Sequence, residues 1–417
     1  MPELTTHEQA AGLPSTTSIL DRSAGSRGVH ALTFPAIAIA AVVALRGATD
    51  AAGDAVWVSG INANGLIALA VTFAATPLIL RSQKVLRSAI VVLAILLYGA
   101  LRYGTEFNFD QHLQGLMIRL MSVFAVWTVA VLTTRYAPGR ARALLEALLV
   151  VASIIAIVTL LDAASAIGST PLGQRATTPF IHPNSAGLFY ALALTMRYAI
   201  KSSRFGRRNL QLAVLTLALL TTGSITALIC SGIAITYVST AGSRSRRYGR
   251  RAPLLVGALA ALALFQFSPA GEARVDELRR TSVQTSESDT SFEWRLINWE
   301  LSLADSNINS RWWGDGLGAA DDATRQPLGR QPHSEVVRSL IEYGRVGTLA
   351  IGMVLLYNFA RLHLAGRREA TAIFIVLTVS MLTSNTLNYT PALYLSAALF
   401  GCLAWPSTNL VNVLSEQ

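Results

Sequence analysis

Twelve apolar runs, separated by connections whose charge alternates, constrain this chain more than anything else in it. The runs lie at about 30–46, 64–80, 88–103, 115–134, 143–168, 185–200, 209–223, 224–240, 252–269, 340–360, 370–387 and 390–407. A helix needs about 20 mostly apolar residues to cross a bilayer, and these runs approach that length, some with their interfacial flanks. Only 14% of the residues are charged, against about 25% in soluble domains. The expected fold is all-α: a polytopic membrane helix bundle of about 12 transmembrane helices.

One set of connections is basic. It holds Arg81, Lys84 and Arg87; Arg135, Arg140 and Arg142; Lys201, Arg204, Arg207 and Arg208; Arg244, Arg246, Arg247, Arg250 and Arg251; and Arg361, Arg367 and Arg368. The alternate set is poor in base or acidic: Asp50 and Asp54, Glu106 and Asp110, the 169–184 loop, the turn near Gly223, the 270–339 loop and Asn388. Short basic loops stay cytoplasmic. The chain then belongs in the cytoplasmic (inner) membrane with both termini cytoplasmic, and loops 169–184 and 270–339 are extracytoplasmic. The same rule accounts for the net charge of +10 without nucleic acid as a partner.

The expected organisation runs as follows. Residues 1–29 are a polar, disordered cytoplasmic segment, with no cleavable signal peptide. Residues 30–269 are a bundle of about nine spans carrying external loop 169–184. Residues 270–339 form the large, partly helical extracytoplasmic loop, 340–407 the C-terminal spans and 408–417 a cytoplasmic tail. The two cysteines, Cys230 and Cys402, sit inside apolar runs, and their spacing indicates neither a disulfide framework nor a zinc site.

Chemistry is expected from the polar interruption 291–347, which holds four of the seven tryptophans: Trp294, Trp299, Trp312 and Trp313. Residues 291–305 read as a helix in which Arg295 and Trp299, four apart, share a face. A turn over 311–318 and a flexible 321–332 follow. A last helix from His333 ends at Tyr343-Gly344 in a glycine C-cap. In the earlier loop, Pro183 and Asn184 read as the turn and N-cap of the next span. His182 reads as a capping or turn residue. Arg119 and Arg197, each inside a span, read as snorkelling to the nearer interface.

Familiar soluble-enzyme motifs are missing. Gly314-Asp315-Gly316-Leu317-Gly318 follows a helix with the wrong spacing for a dinucleotide site. His333-Ser334-Glu335 matches the H-x-E of zinc deaminases without their P-C-x-x-C. No metal and no cofactor is expected. What remains is Arg175, Arg295 and His333, with Glu335 behind them, all on the external side. Guanidinium groups hold phosphate oxygens through charge-assisted pairs, and histidine accepts a proton from a hydroxyl near neutral pH. Each of these residues alone is more often a surface charge or a loop polar group.

Three motifs in order carry a resemblance. Arg295 and Trp299 stand four apart on a helix, and the 314–318 glycine turn follows. His333 then precedes Glu342, Gly344 and Gly347. This pattern resembles the periplasmic-loop signature of the O-antigen ligase and Wzy-type polymerase superfamily. The segment from Arg175 through Phe180 to Pro183-Asn184 is similar to that family's Arg–Phe–Pro-Asn stretch. The resemblance covers about 170–360 by motif. It departs from the family at Ser334, where Asn is usual, and at Ile225, where many relatives carry Arg.

The resemblance implies that His333 is the catalytic base acting on an acceptor hydroxyl. It implies that Arg175 and Arg295 bind the pyrophosphate of a lipid-linked donor. Glu342, Gly344, Asn184 and Trp299 take supporting positions. The implied activity is metal-independent, inverting glycosyl transfer in surface polysaccharide (O-antigen, capsule or exopolysaccharide) polymerisation or ligation. The donor would be an undecaprenyl-pyrophosphate-linked oligosaccharide. The acceptor would be a glycan, a lipid A core or a protein, with membrane lipid and other components of polysaccharide export as further partners. The alternative from another class is a polytopic transporter or flippase. Against it, the two halves of the chain lack the similarity that transporter folds often show.

Overall fold

The computed structural model describes residues 41–47, 56–58, 61–81, 90, 111–136, 138–166, 177–200, 205–241, 291–304, 308–316, 318–320 and 332–404. The expected spans 88–103 and 252–269 lie outside these residues apart from Ile90, as do most of 30–46 and both terminal segments. Within them the chain is helical, apart from a two-stranded antiparallel ribbon, β1 (Val56–Val58) and β2 (Ile61–Asn62).

The helices in chain order are α1 (Ala63–Arg81), α2 (Gln111–Tyr136), α3 (Pro138–Ala166), α4 (Pro183–Ala199), α5 (Phe205–Thr221) and α6 (Ile225–Thr240). After them come α7 (Ser291–Ala304), α8 (Ile308–Trp313), α9 (Glu335–Leu364), α10 (Arg368–Thr383) and α11 (Thr390–Ala404). A single 3-10 turn, Thr386–Asn388, joins α10 to α11. The run expected to continue to 387 therefore stops as a helix at Thr383, because the polar residues 384–389 turn the chain instead. The two runs meeting near Gly223 are two helices. Gly223 takes a φ of 59°, which breaks the helix between α5 and α6.

Among the described residues, three stretches, Ile118–Arg135, Arg140–Ser165 and Glu335–Leu364, are long and apolar enough to cross a membrane. Leu66–Pro77, Ile225–Thr240 and Thr390–Leu403 are apolar but shorter. The outer surface agrees with a lipid environment. Leu349, Leu356 and Tyr357 on α9 are about two-thirds exposed, and Leu161 on α3 is equally bare. Apolar patches of this extent are uncommon on soluble monomers.

The bundle is built around α4, whose residues from Asn184 to Arg197 are all buried and which packs on α3, α5, α6, α10 and α11. In lipid, water does not drive helices together, so close van der Waals approach has to. Small residues provide it. A Cβ on Gly187 of α4 would stand 2.6 Å from Ser224 Cβ, and one on Gly401 of α11 would stand 2.7 Å from Ala130 Cβ of α2. These contacts fix the N-terminus of α4 against that of α6, and α11 against α2.

The helix α9 is two helices joined at a bend. Gly344 has φ 64° and ψ −171°, the left-handed glycine stop expected there. Thr348 Oγ1 donates to Ser339 Oγ at 3.1 Å. A straight helix would separate residues nine apart by about 13 Å, so the segment 335–343 doubles back against 345–352.

Candidate functional site

The site is assembled at one end of the bundle, around the C-terminus of α10 and the 384–389 turn. A helix leaves its last carbonyls without partners inside the helix. At α10 two of these are taken up by the segments expected to carry chemistry. Ser334 Oγ donates to Leu382 O at 2.9 Å, and Arg295 Nη1 donates to Thr383 O at 3.4 Å. Adjacent carbonyls thus bring α7 and the residue following His333 to one place. A cation at a helix C-terminus is favourable in itself, so Arg295 also serves as a cap.

His333 is half-buried, between two fixed neighbours. Pro332 O accepts the Trp299 indole N–H from α7. Ser334 is the N-cap of α9, its Oγ accepting from Val337 N at 3.4 Å. Serine at this position, where the resembling family has asparagine, therefore caps one helix and tethers it to another. His333 itself has φ 39°, the one non-glycine residue among the described residues in the left-handed region. Such strain persists where the surroundings hold it, and it is concentrated at functional sites. Trp299, one turn after Arg295, thus binds the backbone beside His333.

Glu335 is buried and its carboxylate accepts from Leu387 N at 2.7 Å. Asn388 Oδ1 is shared by two arginines, Arg119 Nη1 at 2.9 Å and Arg338 Nη1 at 3.4 Å. Arg119 Nη1 also donates to Leu387 O at 3.2 Å. Arg119, expected to snorkel to the nearer interface, is half-buried with its guanidinium on the turn at that end of the bundle, which offers it a carbonyl and an amide.

At the start of α4 the N-cap is His182, not Asn184. His182 Nδ1 accepts from Asn184 N at 3.1 Å, with Pro183 in the first turn. The Asn184 side chain is therefore directed elsewhere: its Oδ1 accepts from Ser224 Oγ at 3.2 Å. The Tyr389 hydroxyl lies beside the Asn184 and Ser384 side chains, and its ring stacks with His182, centroids 6.1 Å apart. Burial pushes the Tyr389 phenol above its ordinary range, against the opposing pull of those side chains and of Arg295. At neutral pH it is a neutral donor.

The glycine turn and the Glu342–Gly347 motif lock into each other. Asp315 N donates to Ile341 O at 2.8 Å, and Gly316 N to Glu342 O at 3.0 Å. Glu342 Oε1 accepts from Gly318 N at 3.0 Å and from Arg338 Nε at 3.1 Å. The bend at Gly344 frees the carbonyls of 341 and 342, and the turn supplies their donors. A Cβ on Gly314 would fall 2.3 Å from Glu342 O, and one on Gly344 would fall 2.4 Å from Trp312 C. Both glycines are needed for backbone to meet backbone. Glu342 and Gly344 are therefore architecture.

Arg295, His333, Trp299 and Asn184 belong to segments that meet around one turn. Arg175 lies outside the described residues. The 384–389 turn, Arg119, Tyr389 and His182 were not foreseen as site residues. Four polar side chains and a tyrosine ending an apolar run were the available signal. Among the described residues no cluster of His, Cys, Asp and Glu could hold a metal ion. Comparison with models of protein families, with curated proteins and with solved structures finds no match to this chain.

Proposed function

We propose that this chain transfers a glycan from an undecaprenyl-pyrophosphate donor to an acceptor hydroxyl on the outer face of the cytoplasmic membrane. The observation that carries this reading is the convergence of Arg295 and the His333 segment on the adjacent carbonyls of Leu382 and Thr383. Further support comes from four helix N-termini, those of α4, α6, α9 and α11, which begin around this turn. Helix N-termini favour anions, and a pyrophosphate is the most highly charged part of such a donor. In this reading the twelve-span bundle holds the site where a lipid-borne group reaches it.

The chemistry follows from the residue types. His333 takes the proton of the acceptor hydroxyl. That oxygen attacks the anomeric carbon opposite the pyrophosphate, and the bond from that carbon to the pyrophosphate oxygen breaks with its electron pair. The configuration inverts. Arg295 and Arg175 stabilise the charge gathering on the leaving group. The family resemblance covers ligases as well as polymerases. The Arg- and Ala-rich, Lys-poor composition suits a high-GC genome, and in a cell without lipid A the acceptor is another repeat unit, which is the polymerase reading.

Complementation of a deletion strain tests this. Loss of a general base costs about 10²–10⁴-fold in rate, so His333→Ala, expressed at wild-type level, leaves surface polymer absent. Normal polymer from that variant refutes the assignment. Accumulated single repeat units on lipid identify a polymerase. Long lipid-linked polymer that never reaches its acceptor identifies a ligase. Unaltered glycan with lost uptake of a solute identifies a transporter.

A further inference from the structure

The bend in α9 carries an exposed aromatic and cationic cluster that the chemistry above does not use. Trp312 is 50% exposed and Trp313 52%. They end α8 and are held against the bend by the interlocked backbone of Gly314 and Gly344. The Arg345 guanidinium carbon lies 5.5 Å from the Trp312 ring centroid, and Arg345 is exposed. Directly after it the surface turns apolar: Val346 is 41% exposed, Leu349 65%, Met353 57% and Leu356 67%. Residues 345–364 measure about 30 Å at 1.5 Å per residue, which is the thickness of a hydrocarbon core.

We propose that Trp312, Trp313 and Arg345 form an interfacial dock that seats the phosphate headgroup of an anionic membrane lipid, with the hydrocarbon beginning at Val346. Tryptophan favours the headgroup level because its ring is apolar and its N–H is polar. Arginine there pairs with phosphate in bidentate fashion, and the ring beneath it holds the guanidinium in place. The bend makes this cluster the outermost point of α9, since 335–343 turns back from it. Leu382, bonded to Ser334, stands about 21 Å along α10 from the α9–α10 turn, whereas Arg345 stands about 28 Å along α9 from it. The C-terminus of α10 therefore stands about 7 Å short of the level of Arg345, just inside the hydrocarbon boundary that the dock marks.

The test uses the full chain in lipid nanodiscs and needs no activity. Spin labels go one at a time on cysteines replacing the exposed Val346, Leu349, Met353 and Leu356, and collisions with oxygen and with a nickel chelate are compared. The expected profile is near parity at Val346 and a rising oxygen preference through Leu356. Nickel preference at Met353, or a flat profile, overturns the boundary. In a second arm, phosphatidylglycerol with a nitroxide headgroup quenches tryptophan fluorescence. The Trp312→Phe/Trp313→Phe variant loses most of that quenching. Arg345→Gln lowers the preference for phosphatidylglycerol over phosphatidylcholine about five-fold, the value of one basic residue at a membrane surface. Unchanged quenching, unchanged preference, or displacement by inorganic phosphate overturns the dock.

Discussion

The two ends of the bundle use arginine differently. At one end Arg197, buried at 1% exposure, bonds the Glu146 carboxylate at 3.1 Å, Gln211 Oε1 at 3.4 Å and Ile200 O at 3.3 Å. Its partners lie on α3, on α5 and at the end of α4 itself. The pair ties three helices together, and this inward ion pair replaces the snorkelling expected of Arg197. At the other end Arg119 and Arg295 donate to main-chain carbonyls, and Arg119 shares Asn388 with Arg338. Those arginines give one connecting turn its shape. An ion pair between helices closes an end, whereas arginines on a turn build a surface that something else can meet.

The largest effect expected from breaking this contrast is Gly344→Ala. The new Cβ would meet the Trp312 backbone at 2.4 Å at a residue of positive φ, so the bend must open. A cost of about 3 kcal/mol or more is expected for strain of this kind. Thermal unfolding in detergent shows the loss, and on the proposed function polymer formation falls with it. Wild-type unfolding would mean that the glycine interlock does not hold the bend. Next in size is Glu146→Leu, at the closed end. Removing one member of a buried pair leaves Arg197 uncompensated. The usual cost of about 3–5 kcal/mol falls to about 2 kcal/mol here, because Glu146 is 29% exposed. The Glu146→Leu/Arg197→Met double variant recovers most of that stability. On the proposed function, polymer formed per folded molecule stays at the wild-type level in both, and a drop there would erase the distinction between the ends.

Asn388→Leu comes third and acts at the open end. Arg119 and Arg338 lose their common acceptor, at a cost of about 1–3 kcal/mol for partners left without it. The turn moves, and the site with it. On the proposed function, polymer formation falls further than the melting temperature does, whereas equal falls in both would assign Asn388 to stability alone.

The helices were legible in the sequence because their apolar runs are long. The 64–80 run is α1, and the 185–200 run is α4 to within two residues. The stop at Gly344 was legible too, because only glycine takes that conformation without strain. The N-cap of α4 was half legible: His182 reads as a capping or turn residue and is the cap, but Asn184 also reads as the cap, because asparagine is a common cap and histidine is not. Residues 384–387 were absorbed into a span, leaving Asn388 as the expected connection, since polar residues at the end of an apolar run resemble an interface. Nothing local announces that Arg119 reaches a turn 268 residues away. That contact depends on the packing of α11 against α2 through Gly401 and Ala130, and pairing between distant helices is invisible to periodicity.

The smallest effect sharpens the comparison by pH. Tyr389→Phe removes the buried hydroxyl beside Asn184 and Ser384, a loss of about 1 kcal/mol. The folded phenol titrates above its unfolded value of about 10, because burial disfavours phenolate. The folded chain therefore binds this proton more tightly than the unfolded chain does. The hydroxyl's contribution is whole below pH of about 10 and declines as pH rises through the folded value. The stability gap between wild type and Tyr389→Phe should hold constant from neutral to mildly alkaline pH and then close. Denaturant unfolding of the two proteins at matched pH measures it. A gap that widens above that point would mean that the folded site stabilises phenolate, and then Arg295 rather than burial would govern the open end.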